Sequence, residues 1–220
     1  VALAAFHRKI KIIHLEAGLR TYDFKNPWPE EANRQLISRI SDLNFCPTSN
    51  NKNFLNNERV KGECFVVGNT ALDNLTELNC SYSNKVVVTM HRRENHALMP
   101  DWFSEIENLA KKYINLKFIL PIHPNPNVNK HSGIFESVQV VPPMDYNKFL
   151  KLLSDCKMII TDSGGIQEEA SFLRKKSIVC RETTERQEVL NKFSFLCDNP
   201  KRLPGLFETH IDNFIPKAEF

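Results

Sequence analysis

Thr161-Asp-Ser-Gly-Gly165 carries a direct chemical suggestion. Two consecutive glycines where a strand gives way to a helix leave backbone N–H groups open to a closely approaching anion, and the helix dipole favours negative charge there. Ser163 adds a hydroxyl donor, and Gly164 and Gly165 place no side chain in the way. Glu169 follows Gly165 by four residues, one turn along the same face. A carboxylate at that point can accept two ribose hydroxyls while phosphates sit at the helix end. The plainer reading is a strand–helix turn with Ser163 as N-cap.

Met90-His-Arg-Arg-Glu-Asn95 sets an imidazole beside two guanidiniums. His91 with Arg92 and Arg93 suits a diphosphate, because arginine forks onto phosphate oxygens and histidine can donate a proton near neutral pH. A solvated charged loop would look the same. Glu16 closes an apolar run, where a charge needs a partner or a task. Glu30 and Glu31 follow fourteen and fifteen residues later. Carboxylates brought to one cleft from separate segments make a general acid–base pair, although glutamates at a helix start are usually exposed. Arg186, in Thr183-Thr-Glu-Arg186, could reach a phosphate or base, and Thr184 with Gln187 fits a capping box. His123 ends a strand, where a loop histidine is more often structural. Phe149 has the spacing of a core residue. The histidines show no metal-ligand spacing.

These residues need a scaffold that brings strand ends together. Short β-branched runs alternate with helical patterns along the chain: strands over Lys9–Glu16, Leu43–Pro47, Cys64–Val67, Lys85–Thr89, Lys117–Pro121, Val138–Val141, Lys157–Thr161 and Ser177–Arg181. Helices are expected over Pro29–Ile40, near Asn51–Asn57, over Asp101–Tyr113, Asp145–Ser154, from Gly165 to about Arg174, and from about Glu185. Such alternation means α/β architecture with a mostly parallel sheet, and ligands bind where its strands end. The pattern restarts near Gly68-Asn-Thr70, so a first domain over residues 1–68 and a second over 69–220 are expected.

Composition narrows the classes. Of 220 residues, 41% are hydrophobic and 25% charged, with a net charge of +3, which suits a packed core and provides no dense basic tract for nucleic acid. There is no apolar run long enough to span a membrane and no signal-peptide layout at Val1. Six cysteines without Cys-x-x-Cys pairing read as reduced thiols, hence a cytoplasmic protein. Glycine is scarce at 7 residues, so each one should have a reason.

Six segments in one order carry a resemblance: His14–Thr21 (HLEAGLRT), Pro27–Arg34 (PWPEEANR), Gly68–Thr70 (GNT), His91–Asn95 (HRREN), Asp162–Glu169 (DSGGIQEE) and Arg181–Arg186 (RETTER). Over roughly residues 1–190 the chain resembles the bacterial non-hydrolysing UDP-N-acetylglucosamine 2-epimerases. The resemblance implies two Rossmann-like domains of glycosyltransferase-B type, the first incomplete, with the nucleotide-sugar in the cleft between them. It assigns Glu16 and Glu30 to acid–base work near the sugar and His91 to the departing diphosphate. It places Ser163, Gly164 and Gly165 in the phosphate loop, Glu169 on the ribose and Arg186 on the nucleotide. Met144 and Phe149 frame the uracil, with Phe149 stacking.

The implied reaction eliminates UDP across C1–C2 to 2-acetamidoglucal and returns it with a proton on the opposite face of C2. It interconverts UDP-N-acetylglucosamine and UDP-N-acetylmannosamine, precursors of cell-surface polysaccharide, without metal or nicotinamide and in a homodimer. A glycosyltransferase of the same fold would share the nucleotide residues, and an inactive nucleotide-sugar-binding remnant would share the fold. Val1 matches a point inside the family's first domain, upstream of which lies its His-Gly-Asp-Thr segment; the likeness fades after about Leu190, before the family's Gly-Asp-Gly segment. These 220 residues are therefore expected to be a fragment with little or no epimerase activity alone.

Overall fold

Apolar runs of four or five residues joined by helix-length crossovers can pair only as parallel strands. The computed structural model, which describes residues 1–75, 78–184 and 190–212, is built in this way throughout. Its chain forms two compact units, Val1–Asn74 and Leu75–Phe220, against an expected restart after Gly68.

The first unit holds a three-stranded parallel sheet in the order β1 (Ile13–Leu15), β2 (Leu43–Cys46), β3 (Glu63–Val66). Helix α1 spans Ala2–His7, α2 Glu30–Ile40 and α3 Ser49–Asn57. α3 is capped by a reciprocal box in which Thr48 and Asn51 satisfy each other's backbone N–H groups. Ala17, Cys46 and Leu55 form its small core, with Val60 and Cys64 against them. Strand register puts Leu15, Phe45 and Phe65 abreast on the other face, where Ile13, Leu15 and Phe65 are exposed. That half-covered sheet agrees with an incomplete first domain. The strand expected from Lys9 begins only at Ile13, because α1 precedes it and Lys9 turns the backbone into the left-handed region at φ 57°.

The second unit holds six parallel strands: β4 (Lys85–Thr89), β5 (Lys117–Pro121), β6 (Gln139–Val141), β7 (Met158–Thr161), β8 (Lys176–Val179) and β9 (Ser194–Leu196). Their order is β6-β5-β4-β7-β8-β9. β9 is an addition to the strands expected from the side-chain pattern, as is the helix that follows it. The helices are α4 (Met99–Lys112), the short α5 (Pro126–Asn129), α6 (Tyr146–Asp155), α7 (Gly164–Phe172) and α8 (Leu203–Ile211). Side chains alternate across the pleat. Val86 and Val88 of β4 join Trp102, Phe103 and Ile106 of α4 and Phe207 of α8 in one core, which Val87, though buried, does not share. α6 and α7 bury Leu150, Leu153, Ile166 and Ala170. The helix expected from Glu185 lies outside the described residues. No described helix is long and apolar enough to cross a membrane.

Candidate functional site

The strand order decides where a ligand can enter the second unit. β4 and β7 are neighbours, and from them the chain winds outward in opposite directions, through β5 and β6 on one side and β8 and β9 on the other. Loops leaving their carboxyl ends part, opening a crevice at the switch point. His91 stands just beyond β4, and Asp162–Gly165 just beyond β7.

Asp162 ties these loops together. It is fully buried, and its carboxylate accepts hydrogen bonds from His91 N (3.2 and 3.0 Å), Arg92 N (2.8 Å) and Asn95 Nδ2 (3.2 Å). The Asn95 amide also donates to Cys180 O at 2.9 Å, and Arg181 Nε lies 3.2 Å from Glu94 Oε1. The ends of β4, β7 and β8 are thus one network, which a buried carboxylate requires to offset its desolvation.

His91 is half-buried, with its ring stacked on that of His123 at 5.1 Å and 14°. Both line a cleft of about 190 Å³ together with Met144, Phe149 and Ile166. The structure therefore gathers His91, Met144 and Phe149, and adds His123. Burial holds the His91 imidazole below its ordinary pKa; Asp162 opposes this, while His123 and Arg92 reinforce it.

Ser163 is the N-cap residue of α7, but its side chain makes no capping hydrogen bond, so the simple N-cap role fails. Ser163 N instead donates to Thr161 Oγ1 at 3.0 Å. Gly164 is buried, and a Cβ built on Gly165 would meet nothing within 4 Å. Glu169 is buried on α7 and accepts from the Tyr146 hydroxyl at 2.9 Å. Burial raises the Glu169 pKa, and Tyr146 pulls it back down. Arg186 and Gln187 lie outside the described residues. Thr184, expected to cap a helix, donates its hydroxyl to Gln167 Oε1 at 2.9 Å. Among the described residues no cluster of three or more His, Cys, Asp or Glu side chains could hold a metal.

Glu16 and Glu30 belong to the first unit, and the remaining described candidates to the second. Glu16 is exposed just past β1 in a left-handed conformation, φ 55°, which costs a side-chain-bearing residue about 1–2 kcal/mol. Its environment holds that strain in place. Arg20 is buried with a bidentate grip on Glu58 (2.7 and 2.9 Å) and a bond to Ser38 Oγ (3.0 Å). Thr21 N and Tyr22 N donate to Glu31 at 3.1 and 3.2 Å. Glu30 is exposed as expected, but Glu31 is fully buried, which corrects the shared surface reading of the two. Its carboxylate joins the segment after Glu16 to the first turn of the helix that begins with Glu30.

The half-buried His14 lies behind this turn, its Nδ1 3.4 Å from Ser38 Oγ. Burial, aided by the Arg20 charge, pushes its pKa from 6.5 down to about 4. The unfolded chain then binds the proton first as pH falls, so the stability from neutral His14 is complete above 6.5 and drains away toward 4. Thermal unfolding of wild type and His14→Gln, followed from about pH 7 to about pH 4, should show the steeper acid loss in wild type. Parallel curves contradict this.

Asp162 and Tyr146 are not among the residues singled out by type and spacing, and His123, expected to be structural, lines the cleft. For Asp162 a signal existed: it directly follows an apolar strand, the same argument applied to Glu16. Asp162 is buried and meets that need with hydrogen-bond partners, whereas Glu16 is exposed, so burial demands no partner of it.

A sequence model of the family described as UDP-N-acetylglucosamine 2-epimerase matches residues 1–203, past the point near Leu190 where likeness was expected to fade. The UDP-N-acetylglucosamine 2-epimerase of Neisseria meningitidis serogroup A is 40% identical over 214 residues, spanning 86% of this chain and 58% of that protein. Its Campylobacter jejuni namesake is 39% identical, spanning 86% and 57%. Among solved structures, the S. aureus MnaA–UDP co-structure superposes with a TM-score of 0.86 at 33% identity over 96% of this chain and 62% of that one. UDP-GlcNAc 2-epimerase from Neisseria meningitidis bound to UDP-GlcNAc gives 0.83 at 36% identity, over 94% and 63%. The chain thus spans less than two thirds of each of these relatives, in the glycosyltransferase-B fold class they share. On this evidence the chain belongs to the UDP-N-acetylglucosamine 2-epimerase family.

Proposed function

We propose that this chain supplies the nucleotide site and two of the proton-transfer residues of a non-hydrolysing UDP-N-acetylglucosamine 2-epimerase. The observation that carries this is the switch-point crevice, where the N-terminus of α7, free of a side-chain cap, and the His91 loop share one buried anchor, Asp162. The first-turn N–H groups of α7 meet the diphosphate, Glu169 takes the ribose hydroxyls, and Phe149 with Met144 holds the uracil. Arg186 contacts the nucleotide.

The chemistry is proton transfer with elimination. A carboxylate, Glu16 or Glu30, removes the C2 proton; the C1–O bond breaks, and its electron pair leaves on the β-phosphate oxygen. Return of that oxygen to C1, with a proton delivered to the other face of C2, completes the inversion. His91 and Arg92 stabilise the separated diphosphate.

UDP titrated calorimetrically into the 220-residue chain should bind. Turnover is read on a chimera that adds the upstream and downstream segments of the Neisseria meningitidis relative. UDP-N-acetylglucosamine in heavy water should then yield UDP-N-acetylmannosamine with deuterium at C2. Glu16→Gln and Glu30→Gln should each slow this by roughly 10²- to 10⁴-fold with UDP affinity unchanged. Free N-acetylmannosamine, sugar transfer to an acceptor, or epimer without deuterium would overturn the proposal.

A further inference from the structure

We propose that Asp162 is a positioning residue that fixes the tautomer and orientation of His91, so that Nδ1 carries its proton toward Asp162 and Nε2 is presented to a phosphate oxygen in the cleft. Asp162 Oδ1 lies 3.6 Å from His91 Nδ1, ion-pair range and short of a hydrogen bond. The same carboxylate accepts the backbone N–H of His91 through both of its oxygens, so the carboxylate is held beside the point where the ring leaves the chain. Among the described residues, His91 is the one basic side chain at ion-pair distance from Asp162.

The ring that carries the proton is chosen by its other neighbours as well. The groups facing His91 are Asp162 from the β7–α7 turn, His123 from beyond β5, and Arg92 and Glu94 of its own loop. His123 lies parallel to it, ring on ring, and offers no in-plane partner to either nitrogen. The His123 Nδ1 is already an acceptor, taking Asn125 N at 3.1 Å. Of the two carboxylates that face His91, Asp162 is the one at ion-pair distance from Nδ1, so the Nδ1 proton is directed toward it. The tautomer of a neutral imidazole is set by the hydrogen bond its other nitrogen makes, and catalytic contacts that are long without ligand shorten when it binds. A diphosphate would supply the negative charge that favours the imidazolium, with Asp162 steadying the Nδ1 side. That Nε2 meets phosphate rests on the nucleotide-sugar reading; the tautomer does not.

The test is long-range ¹H–¹⁵N correlation on the labelled 220-residue chain without ligand, near pH 8. Neutral His91 should appear as the Nδ1–H form. The Nε2–H form, which free imidazole side chains prefer, or a mixture, would overturn the proposal. Asp162→Asn, if it retains a dispersed spectrum, should lose the Nδ1–H preference and show a lower His91 pKa than wild type; a purely structural Asp162 would leave both unmoved. If that variant does not fold, the wild-type tautomer still decides. UDP should then raise the His91 pKa of wild type by about one unit or more. UDP that binds without moving this titration overturns the phosphate contact. An Nδ1–H tautomer in a chain that does not bind UDP upholds the Asp162–His91 pair and sinks the nucleotide reading instead.

Discussion

A Gly18→Ala chain is expected to lose roughly 3 kcal/mol or more of stability in its first unit, or to leave that unit unfolded. Two costs coincide there. Gly18 has φ +88°, a conformation that penalises a residue with a Cβ by about 1–2 kcal/mol. The added methyl carbon would also stand 2.3 Å from Asn51 O and 2.7 Å from Asn51 C. Those are backbone atoms of α3, held by the Thr48 capping box, and the Asn51 side chain donates back to Gly18 O at 3.3 Å. Neither side of the contact can yield, and overpacking of this kind costs about 1–3 kcal/mol. The two tryptophans separate the outcome: Trp28 lies in the first unit, while Trp102 is buried in the core of the second. Urea titration monitored by NMR should show the first unit melting early and Trp102 unchanged. A first-unit midpoint equal to wild type would mean that the turn tolerates a side chain.

Gly165→Ala is expected to act in two opposite directions. Gly165 is the second residue of α7, in a helical segment, and a methyl group there meets nothing within 4 Å. Alanine lowers the entropy of the unfolded chain and suits the helix, so the variant should gain about 0.4–1 kcal/mol. The open space in front of Gly165 is also where a diphosphate would reach the first-turn N–H groups of α7. UDP affinity should fall at least tenfold, about 1.4 kcal/mol. Thermal unfolding and calorimetric titration of the same preparation check both signs. A stabilised variant that binds UDP as wild type does would remove Gly165 from the phosphate contact. A destabilised one would show that glycine is needed for packing.

The contrast between these glycines shows what a sequence can and cannot reveal. Both fall in recognisable segments, yet one is pressed against backbone 33 residues away and the other faces open space. The same limit governs the carboxylates. Glu16, Glu30, Glu31 and Asp162 are alike in type, and burial alone separates the exposed first pair from the buried second.

By itself the sequence determined the class and order of the elements. Strand and helix follow from side-chain periodicity within five to a dozen residues, and local turn chemistry marks the ends of β4 and β7. It also placed the six ordered segments of the family. Only the tertiary structure decided the strand order that makes β4 and β7 neighbours, the addition of β9, and the partners of the buried charges. Asp162 bonds to His91, 71 residues away; Tyr146 bonds to Glu169; Arg20 bonds to Glu58. The reason is physical. Periodicity reports which face of an element avoids water, whereas a buried polar group must find whichever partner the folded chain brings within about 3 Å, and sequence spacing does not encode that choice.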